Sequence, residues 1–188
     1  TGSIYSCGNI IKWLRDKMKF FENSEDSEDF LRKDGNSNNV LFLPAFNGLG
    51  APYWNSEIRG GFYGITQDTS IEDMTTAAFQ SVAFQTKDIT NILSLYDIKI
   101  QKLLVDGGMV SNKTFCQVLA DTLQIEIVKP KNVESTAIGA CKVAMLSSGM
   151  SIENLSKNEI PYKVNKDRRD VYFRNYSKWQ EYLLTTIK

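Results

Sequence analysis

Residues 103–112, Leu-Leu-Val-Asp-Gly-Gly-Met-Val-Ser-Asn, have the residue types and the spacing that a ligand-binding turn needs. A short apolar stretch runs into Gly107 and Gly108, and a helical pattern follows directly. Two glycines allow the backbone to turn sharply and to approach a ligand with no side chain in between. Because the first amides of the following helix have no helical partners, they could receive the phosphates or ribose of a nucleotide. Taken alone, the same pattern is also typical of an ordinary strand-to-helix turn.

The side chains available for other chemistry are few. The sequence has no histidine, which removes Ser–His and Cys–His nucleophilic catalysis and the commonest zinc ligand. Cys7, Cys116 and Cys141 are far apart, and two of them lie in apolar helical patterns, so we expect buried free thiols rather than disulfides or metal ligands. Asp106 could act as a general base, but an aspartate that fixes the turn through backbone hydrogen bonds is the favoured interpretation.

Length and composition indicate one domain of ordinary size, or one domain with a tail. The 188 residues are 42% hydrophobic, which is enough for a packed core. The 22 basic and 22 acidic residues cancel, so no broad electric field favours nucleic acid or an anionic membrane as a partner. No stretch reaches the roughly 20 apolar residues of a transmembrane span. Since the sequence also starts without a basic leader or a long apolar stretch, we expect a cytoplasmic protein.

Strand and helix patterns alternate around the glycine turn. The apolar spacing predicts four helices before the tail, over 9–21, 70–96, 112–124 and 135–148. Short apolar runs predict four strands, over 40–43, 61–65, 102–105 and 125–128. The last two strands alternate with helices, which predicts a parallel pair with right-handed crossovers. Thr69 and Glu72 could form a capping box at the start of the longest helix.

The charged and polar segments favour solvent-exposed positions. The acidic residues of 22–29 are expected on a solvated helix face or loop, ahead of a polar linker at 34–39. The remainder, 151–188, is predicted to be helical in part. Five of its apolar residues could pack a terminal helix on the body, namely Val171, Trp179, Tyr182, Leu183 and Ile187. Basic residues among aromatics over 163–178 could suggest nucleic acid, but the zero net charge favours a solvated helix with a packed aromatic side.

Three short motifs follow one another in the middle of the chain. They are Gly-Gly-Phe-Tyr-Gly-Ile at 60–65, Asp-Met at 73–74 and Ala-Ala-Phe-Gln at 77–80. In this order they resemble the C-terminal signature of the FGGY carbohydrate kinases.

Further segments resemble one branch of that family. Residues 44–54, Pro-Ala-Phe-Asn-Gly-Leu-Gly-Ala-Pro-Tyr-Trp, resemble the glycerol kinase branch rather than the xylulose or gluconate branches. Residues 105–108 with Asn112, and then residues 134–140, match the same branch in order and spacing. The resemblance extends from residue 3 to about 150, with a weaker tail.

The resemblance implies a fold and an activity. The implied fold is α/β: the C-terminal half of an actin-like, ribonuclease H-like ATPase fold, a mixed sheet with flanking helices whose opening strands are missing. It divides the chain into a truncated nucleotide-binding domain over 1–150 and a helical extension over 151–188 that packs on it. The implied reaction is ATP-dependent phosphorylation of glycerol to glycerol 3-phosphate. Its Mg²⁺ would be held mainly by the phosphates and by the missing N-terminal part.

Four nucleotide-binding residues are carried over from the family by position. Gly108 and Asn112 correspond to adenine- and ribose-side contacts, and Gly8 and Lys12 to two further nucleotide positions. Gly108 would let a flat base lie against the backbone, and the Asn112 amide can both donate and accept. Asn112 could instead merely cap the next helix, and both roles can coexist. Lys12 departs from the glutamine usual in the family, so it could meet a phosphate or point to solvent. The resemblance assigns no catalytic residue and no metal ligand to this chain.

The resemblance also implies that the reaction needs parts that this chain lacks. The N-terminal domain of the family carries the first phosphate loop, the polyol-binding residues and the catalytic aspartate. The second phosphate loop should precede residue 1, which would place Gly2-Ser3 at the end of a strand. We therefore expect half a nucleotide site that binds ATP or ADP, no glycerol phosphorylation by the isolated chain, and association with the N-terminal half of the kinase or with itself. Two alternatives stay open: a non-catalytic remnant or regulatory module that keeps the fold, and another FGGY sugar kinase.

Overall fold

The protein folds into a mixed α/β structure. The computed structural model describes residues 4–131, 135–150 and 159–187. These residues form five α-helices: α1 Cys7–Asp16, α2 Ile71–Leu95, α3 Lys113–Leu123, α4 Ser135–Ser147 and α5 Arg169–Ile187. They also form five strands: β1 Leu41–Leu43, β2 Gly61–Tyr63, β3 Lys102–Leu104, β4 Glu126–Pro130 and β5 Glu159–Tyr162. Short 3₁₀ turns lie at Glu25–Glu28, Gly108–Ser111 and Lys166–Arg168.

The strands form two small sheets. β1 and β2 make an antiparallel pair, while β3, β4 and β5 form a mixed sheet in that order. β3 runs parallel to β4, with Leu103 opposite Ile127, which confirms the predicted parallel pair. β5 runs antiparallel to β4 and was not predicted. Its sequence contains Pro161, which argues against a strand from sequence alone but is tolerated on an edge strand such as β5.

Helix α2 is the centre of the core. Every residue from Thr75 to Gln85 is buried, which is typical of a helix that is surrounded on all sides rather than along one stripe. The helix packs against α1, α3, α5 and β1. Beyond this stretch it emerges into solvent, and Leu95 is 82% exposed. The predicted core-facing helix is therefore confirmed, and its burial extends around the whole helix in the first half.

Two helix boundaries differ from the prediction. Helix α1 ends at Asp16 instead of residue 21, because Lys19 adopts a left-handed backbone conformation with φ +58°. The capping box of α2 is formed by Ser70 and Asp73, one residue later than predicted. Asp73 N donates to Ser70 Oγ (3.2 Å), and Ser70 N donates to Asp73 Oδ2 (3.0 Å).

The register of the capping box has an electrostatic reason. It buries Asp73, whose Oδ1 lies 2.6 Å from Nε of Arg32. The register that pairs Thr69 with Glu72 would instead leave Asp73 outside the box.

The cysteines are free, as predicted, but they are not all buried. Cys116 is buried, and burial raises the pKa of its thiol to about 11, which keeps it protonated. Cys7 is half-buried and Cys141 is exposed. The prediction of burial was wrong for Cys141 because α4 lies at the surface, where Val143 and Leu146 are also exposed.

Some predicted features lie outside the described residues. These are the strand end at Gly2-Ser3, Glu134 of the 134–140 motif, and residues 151–158 of the extension. Among the helices of the described ranges, none has both the length and the apolar character that a bilayer crossing requires.

The capping box gives a prediction for stability. Asp73→Ala should lower the free energy of unfolding by about 2 kcal/mol, because it removes a helix cap and leaves Arg32 without its buried partner. Glu72→Ala should cost less, about 0.5 kcal/mol, since Glu72 is only half-buried and stands outside the box. Urea denaturation of both variants measures the difference. An equal loss in the two would contradict the observed register.

Candidate functional site

A cleft opens where the start of α1 meets the turns Glu25–Glu28 and Gly108–Ser111. Its volume is about 560 Å³. All four residues predicted from the sequence line it, namely Gly8, Lys12, Gly108 and Asn112. Gly8 and Lys12 come from α1, while Gly108 and Asn112 come from the turn about 100 residues later. The fold therefore brings both predicted pairs to one concave surface.

The cleft has an apolar floor and a polar rim. Phe79 of α2 and Ile11 of α1, both buried in the core, reach its lining. Ser24, Glu25 and Ser111 add polar groups. An apolar surface combined with several polar groups suits a molecule that is flat and partly polar.

The glycine turn exposes backbone to the cleft. Gly107 has φ +96°, a conformation that residues with a side chain rarely adopt. A Cβ placed on Gly108 would meet no heavy atom within 4 Å, so the space beside this backbone is open. Asp106 is exposed, and its side chain makes no hydrogen bond with the described residues. The described residues therefore do not bear out the prediction that Asp106 fixes the turn through hydrogen bonds; the positive φ of Gly107 lets the chain turn there.

Asn112 caps helix α3. Its Oδ1 accepts a hydrogen bond from the backbone N of Phe115 at 2.8 Å. Its Nδ2 lies 3.5 Å from Oγ of Ser27, across the cleft. The capping role that the sequence left open is thus present, and it uses the acceptor atom of the amide. Nδ2 remains as the donor with which Asn112 could meet a ligand.

The start of α1 is arranged to favour negative charge. Ser6 precedes the helix but makes no side-chain capping hydrogen bond, so the first amides of α1 have no cap from it. Gly8 lies in this first turn and Lys12 one turn later. Backbone amides at a helix start, together with a nearby ammonium group, favour an anion.

The part of the cleft wall that the turn Glu25–Glu28 forms was not predicted. The turn Glu25–Glu28 was interpreted as part of a solvated acidic segment, and Glu25 is indeed exposed. Ser27 is buried, however, and Glu28 Oε1 accepts from both the backbone N and Oγ1 of Thr114 at 3.3 Å. These contacts tie the turn to the start of α3. Because Glu28 and Thr114 are 86 residues apart, no local pattern signals the contact.

The motif at 44–54 has a structural role and lies outside the cleft. Tyr53 Oη donates to Asp88 Oδ2 at 2.7 Å, and Tyr176 of α5 donates to Oδ1 of the same carboxylate. Burial raises the pKa of Asp88, while hydrogen bonds from Tyr176, Tyr53 and Gln180 oppose the rise. The motif thus connects a loop to α2 and α5 and does not line the cleft.

Metal-ligating side chains are not gathered in this part of the molecule. Within 4–131, 135–150 and 159–187 there is no group of three or more His, Cys, Asp or Glu that could hold a metal ion.

The cap of α3 can be tested by stability. Asn112→Ala should lower the free energy of unfolding by about 1 kcal/mol, because the Phe115 amide loses its acceptor. Asn112→Asp keeps an acceptor oxygen and should stay close to the original protein. Urea denaturation measures both variants. If aspartate lost as much stability as alanine, the capping role would be wrong.

Comparison with known proteins identifies relatives of this fold and cleft. Residues 1–148 match the FGGY family of carbohydrate kinases, C-terminal domain. The chain is 39% identical over 185 residues to glycerol kinases of two Streptococcus pneumoniae strains, Hungary19A-6 and P1031. Each alignment covers 94% of this chain but 37% of the relative, so the chain spans little more than a third of the curated relatives it matches.

Solved structures agree with this result. The crystal structure of Plasmodium falciparum glycerol kinase with ADP superimposes with a TM-score of 0.83 and 29% identity, covering 99% of this chain and 38% of that one. Xylulose kinase from Lactobacillus acidophilus gives a TM-score of 0.79 at 23% identity over 96% of this chain and 38% of that one, and shows the shared fold alone. The fold implied by the sequence, the C-terminal half of an actin-like, ribonuclease H-like ATPase, is confirmed. The chain therefore belongs to the FGGY family of carbohydrate kinases.

Proposed function

We propose that this chain is the ATP-binding part of a glycerol kinase, which transfers the γ-phosphate of ATP to glycerol and gives glycerol 3-phosphate. One observation carries the proposal: Gly8, Lys12, Gly108 and Asn112 line a single cleft. The similarity to curated glycerol kinases and to a glycerol kinase crystallised with ADP supports it. In this proposal residues 1–150 form the nucleotide-binding part, and 151–188 form an extension that supports it. The proposed compartment is the cytoplasm.

The cleft offers different groups to the two ends of a nucleotide. The adenine base would lie against the backbone of Gly108, over the apolar floor that Ile11 and Phe79 provide. Nδ2 of Asn112 would donate to an acceptor of the base or ribose. The phosphates would lie toward the start of α1, where amides near Gly8 and the Lys12 ammonium favour negative charge. Mg²⁺, held mainly by the phosphates and by residues beyond this chain, would neutralise phosphate charge.

The remaining steps need the N-terminal domain of the kinase, which these 188 residues do not contain. Phosphoryl transfer depends on a positioned hydroxyl nucleophile and on charge stabilisation around the moving phosphate. Within the described residues, β3 pairs only with β4, and Leu104 on β3 is 67% exposed. Val143 and Leu146 of α4 are exposed as well. The open strand edge with its exposed leucine, and separately the exposed apolar residues of α4, are suited to cover by the N-terminal half of the kinase, or by a second copy of the chain when that half is absent.

If this chain binds the nucleotide and the N-terminal half supplies the remaining groups, the activity of the isolated chain can be predicted. It should bind ADP but produce no ADP from ATP in the presence of glycerol, because the general base and the polyol site are not among its expected residues. Co-expression with an N-terminal fragment of a related glycerol kinase should restore activity in a coupled ADP-release assay. Glycerol-dependent turnover by the chain alone, with contaminating kinase excluded, would contradict this assignment.

Gly108 provides a direct test of the nucleotide site. Gly108→Trp should fold normally, since a Cβ at this position meets open space, but the ring should fill the cleft. ADP affinity should fall at least about tenfold, which corresponds to the loss of about 1.4 kcal/mol of binding free energy. Gly139→Ala, on α4 and equally free of close atoms, is the matched control and should bind ADP normally. Calorimetric titration measures the affinities, and normal binding by the tryptophan variant would exclude the cleft as the site.

Lys12 separates contacts with phosphate from contacts with the base. If its ammonium meets a phosphate, Lys12→Gln should weaken ADP binding about threefold to tenfold, leave adenosine binding unchanged and reduce the salt dependence of the ADP affinity. Lys17→Gln, which changes an exposed lysine beside the end of the same helix, is the control. Equal effects on ADP and adenosine would mean that Lys12 does not contact phosphate.

A non-catalytic interaction module is the second candidate function. The lysine at position 12, where the family usually has glutamine, favours it. In that case the original chain would be indifferent to both ADP and adenosine in the same titrations. The third candidate, another FGGY sugar kinase, differs in the sugar that is phosphorylated, and the 44–54 motif favours the glycerol branch over it.

A further inference from the structure

Lys129 is a buried lysine close to the glycine turn. It lies next to the end of β4, and the residue is only 6% exposed. Lysine is rarely buried to this extent unless its ammonium group has partners. The contacts of the ammonium group therefore indicate the structural role of the Lys129 side chain.

The partners of Lys129 are backbone carbonyls of the turn. Nζ donates to the carbonyl of Val110 at 2.7 Å and lies 3.5 Å from the carbonyl of Ser111. These are the last two residues of the 3₁₀ turn Gly108–Ser111, and α3 starts only after Asn112. Carbonyls at the end of a helical turn lack helical partners, so a charged donor is well placed there.

Residues of two other elements, β5 and α3, lie around this contact. Nζ lies 6.0 Å from the centre of the Tyr162 ring on β5. Cys116 Sγ, on α3, contacts the same Val110 carbonyl at 3.3 Å. The ion pairs of the described residues do not include Lys129, so its hydrogen bonds are directed at the turn.

The turn needs such a restraint from outside. Gly107 and Gly108 lose more backbone freedom on ordering than other residues, so they hold no fixed shape by themselves. Asn112 fixes the far end of the turn through its cap on α3. Lys129 contacts the last two residues of the 3₁₀ turn, just before Asn112, and does not itself line the cleft.

We infer that Lys129 is a positioning residue, whose ammonium group holds the carbonyls of Val110 and Ser111 so that Gly108 and Asn112 keep their spacing on the cleft wall. The inference rests on the proposed function for its effect on nucleotide binding. Its effect on the turn itself is independent of any ligand.

The test compares two lysines that donate to backbone carbonyls. Lys129→Met keeps the aliphatic length and removes the donor. Lys87→Met is the matched control, because Lys87 Nζ donates to the Thr122 carbonyl at 2.7 Å, at the opposite end of α3 from the cleft. Hydrogen–deuterium exchange of amides 107–112 in the ligand-free chain reports the order of the turn. Calorimetric titration with ADP reports the consequence for binding.

The expected results separate positioning from general stability. Lys129→Met should speed exchange of the turn amides and weaken ADP binding, each by about tenfold, the effect of losing one charge-assisted hydrogen bond. Lys129→Arg should restore both, since it supplies charged donors at a similar reach. Lys87→Met should change both by less than about twofold, although it loses a comparable bond.

Contrary results are equally clear. The inference is overturned if folded Lys129→Met keeps normal exchange and normal ADP affinity, or if Lys87→Met changes them as much. Should the methionine variant not fold, Lys129→Gln, whose shorter side chain cannot reach the carbonyls in the same way, is judged by the same two measurements. If the original chain does not bind ADP, the proposed function fails, while the exchange comparison still decides the role of Lys129.

Discussion

The burial of helix α2 is the interaction on which the rest of the structure depends. From Thr75 to Gln85 the helix is enclosed, and the elements around it include α1, α3, α5 and β1. Phe79 packs edge-on against Phe115 of α3, with ring centres 5.4 Å apart, and it also forms part of the cleft floor. Phe79 therefore belongs both to the hydrophobic core and to the lining of the cleft. Because α1 and α3 both rest on this helix, their N-terminal ends are held close enough to form one site.

Around this centre, polar side chains fix the parts that apolar packing leaves free. Asn112 caps the start of α3. Glu28 connects the start of α3 to the turn Glu25–Glu28. Asp88 joins the loop of Tyr53 to α5. The contacts near the cleft hold backbone amides and carbonyls of the turn and of the start of α3. Such an arrangement suits a ligand that is recognised by shape and by a few donors, as we propose for ATP.

The sequence predicted those elements and site residues that depend on local spacing or on a short motif. The parallel pair β3–β4 and helix α2 follow from apolar spacing, and the four cleft residues follow from motifs of the family. β5 was missed because Pro161 is unfavourable inside most strands. The predicted capping box was wrong by one residue because Thr69–Glu72 and Ser70–Asp73 fit the same motif. In the structure Asp73 is buried beside Arg32, which favours the Ser70–Asp73 box. The contacts of Glu28 with Thr114 and the carbonyl contacts of Lys129 join residues that are not neighbours in sequence, so they become visible only in the folded chain.

The central claim is that the glycine turn and the start of α1 form one nucleotide site. An NMR titration of the isotopically labelled chain with ADP tests it most directly, because each backbone amide reports separately. The account predicts saturable shifts concentrated at Gly8, Lys12, Gly108 and Asn112, on both sides of the cleft. Shifts confined to other surfaces, or none at millimolar ADP, would contradict it.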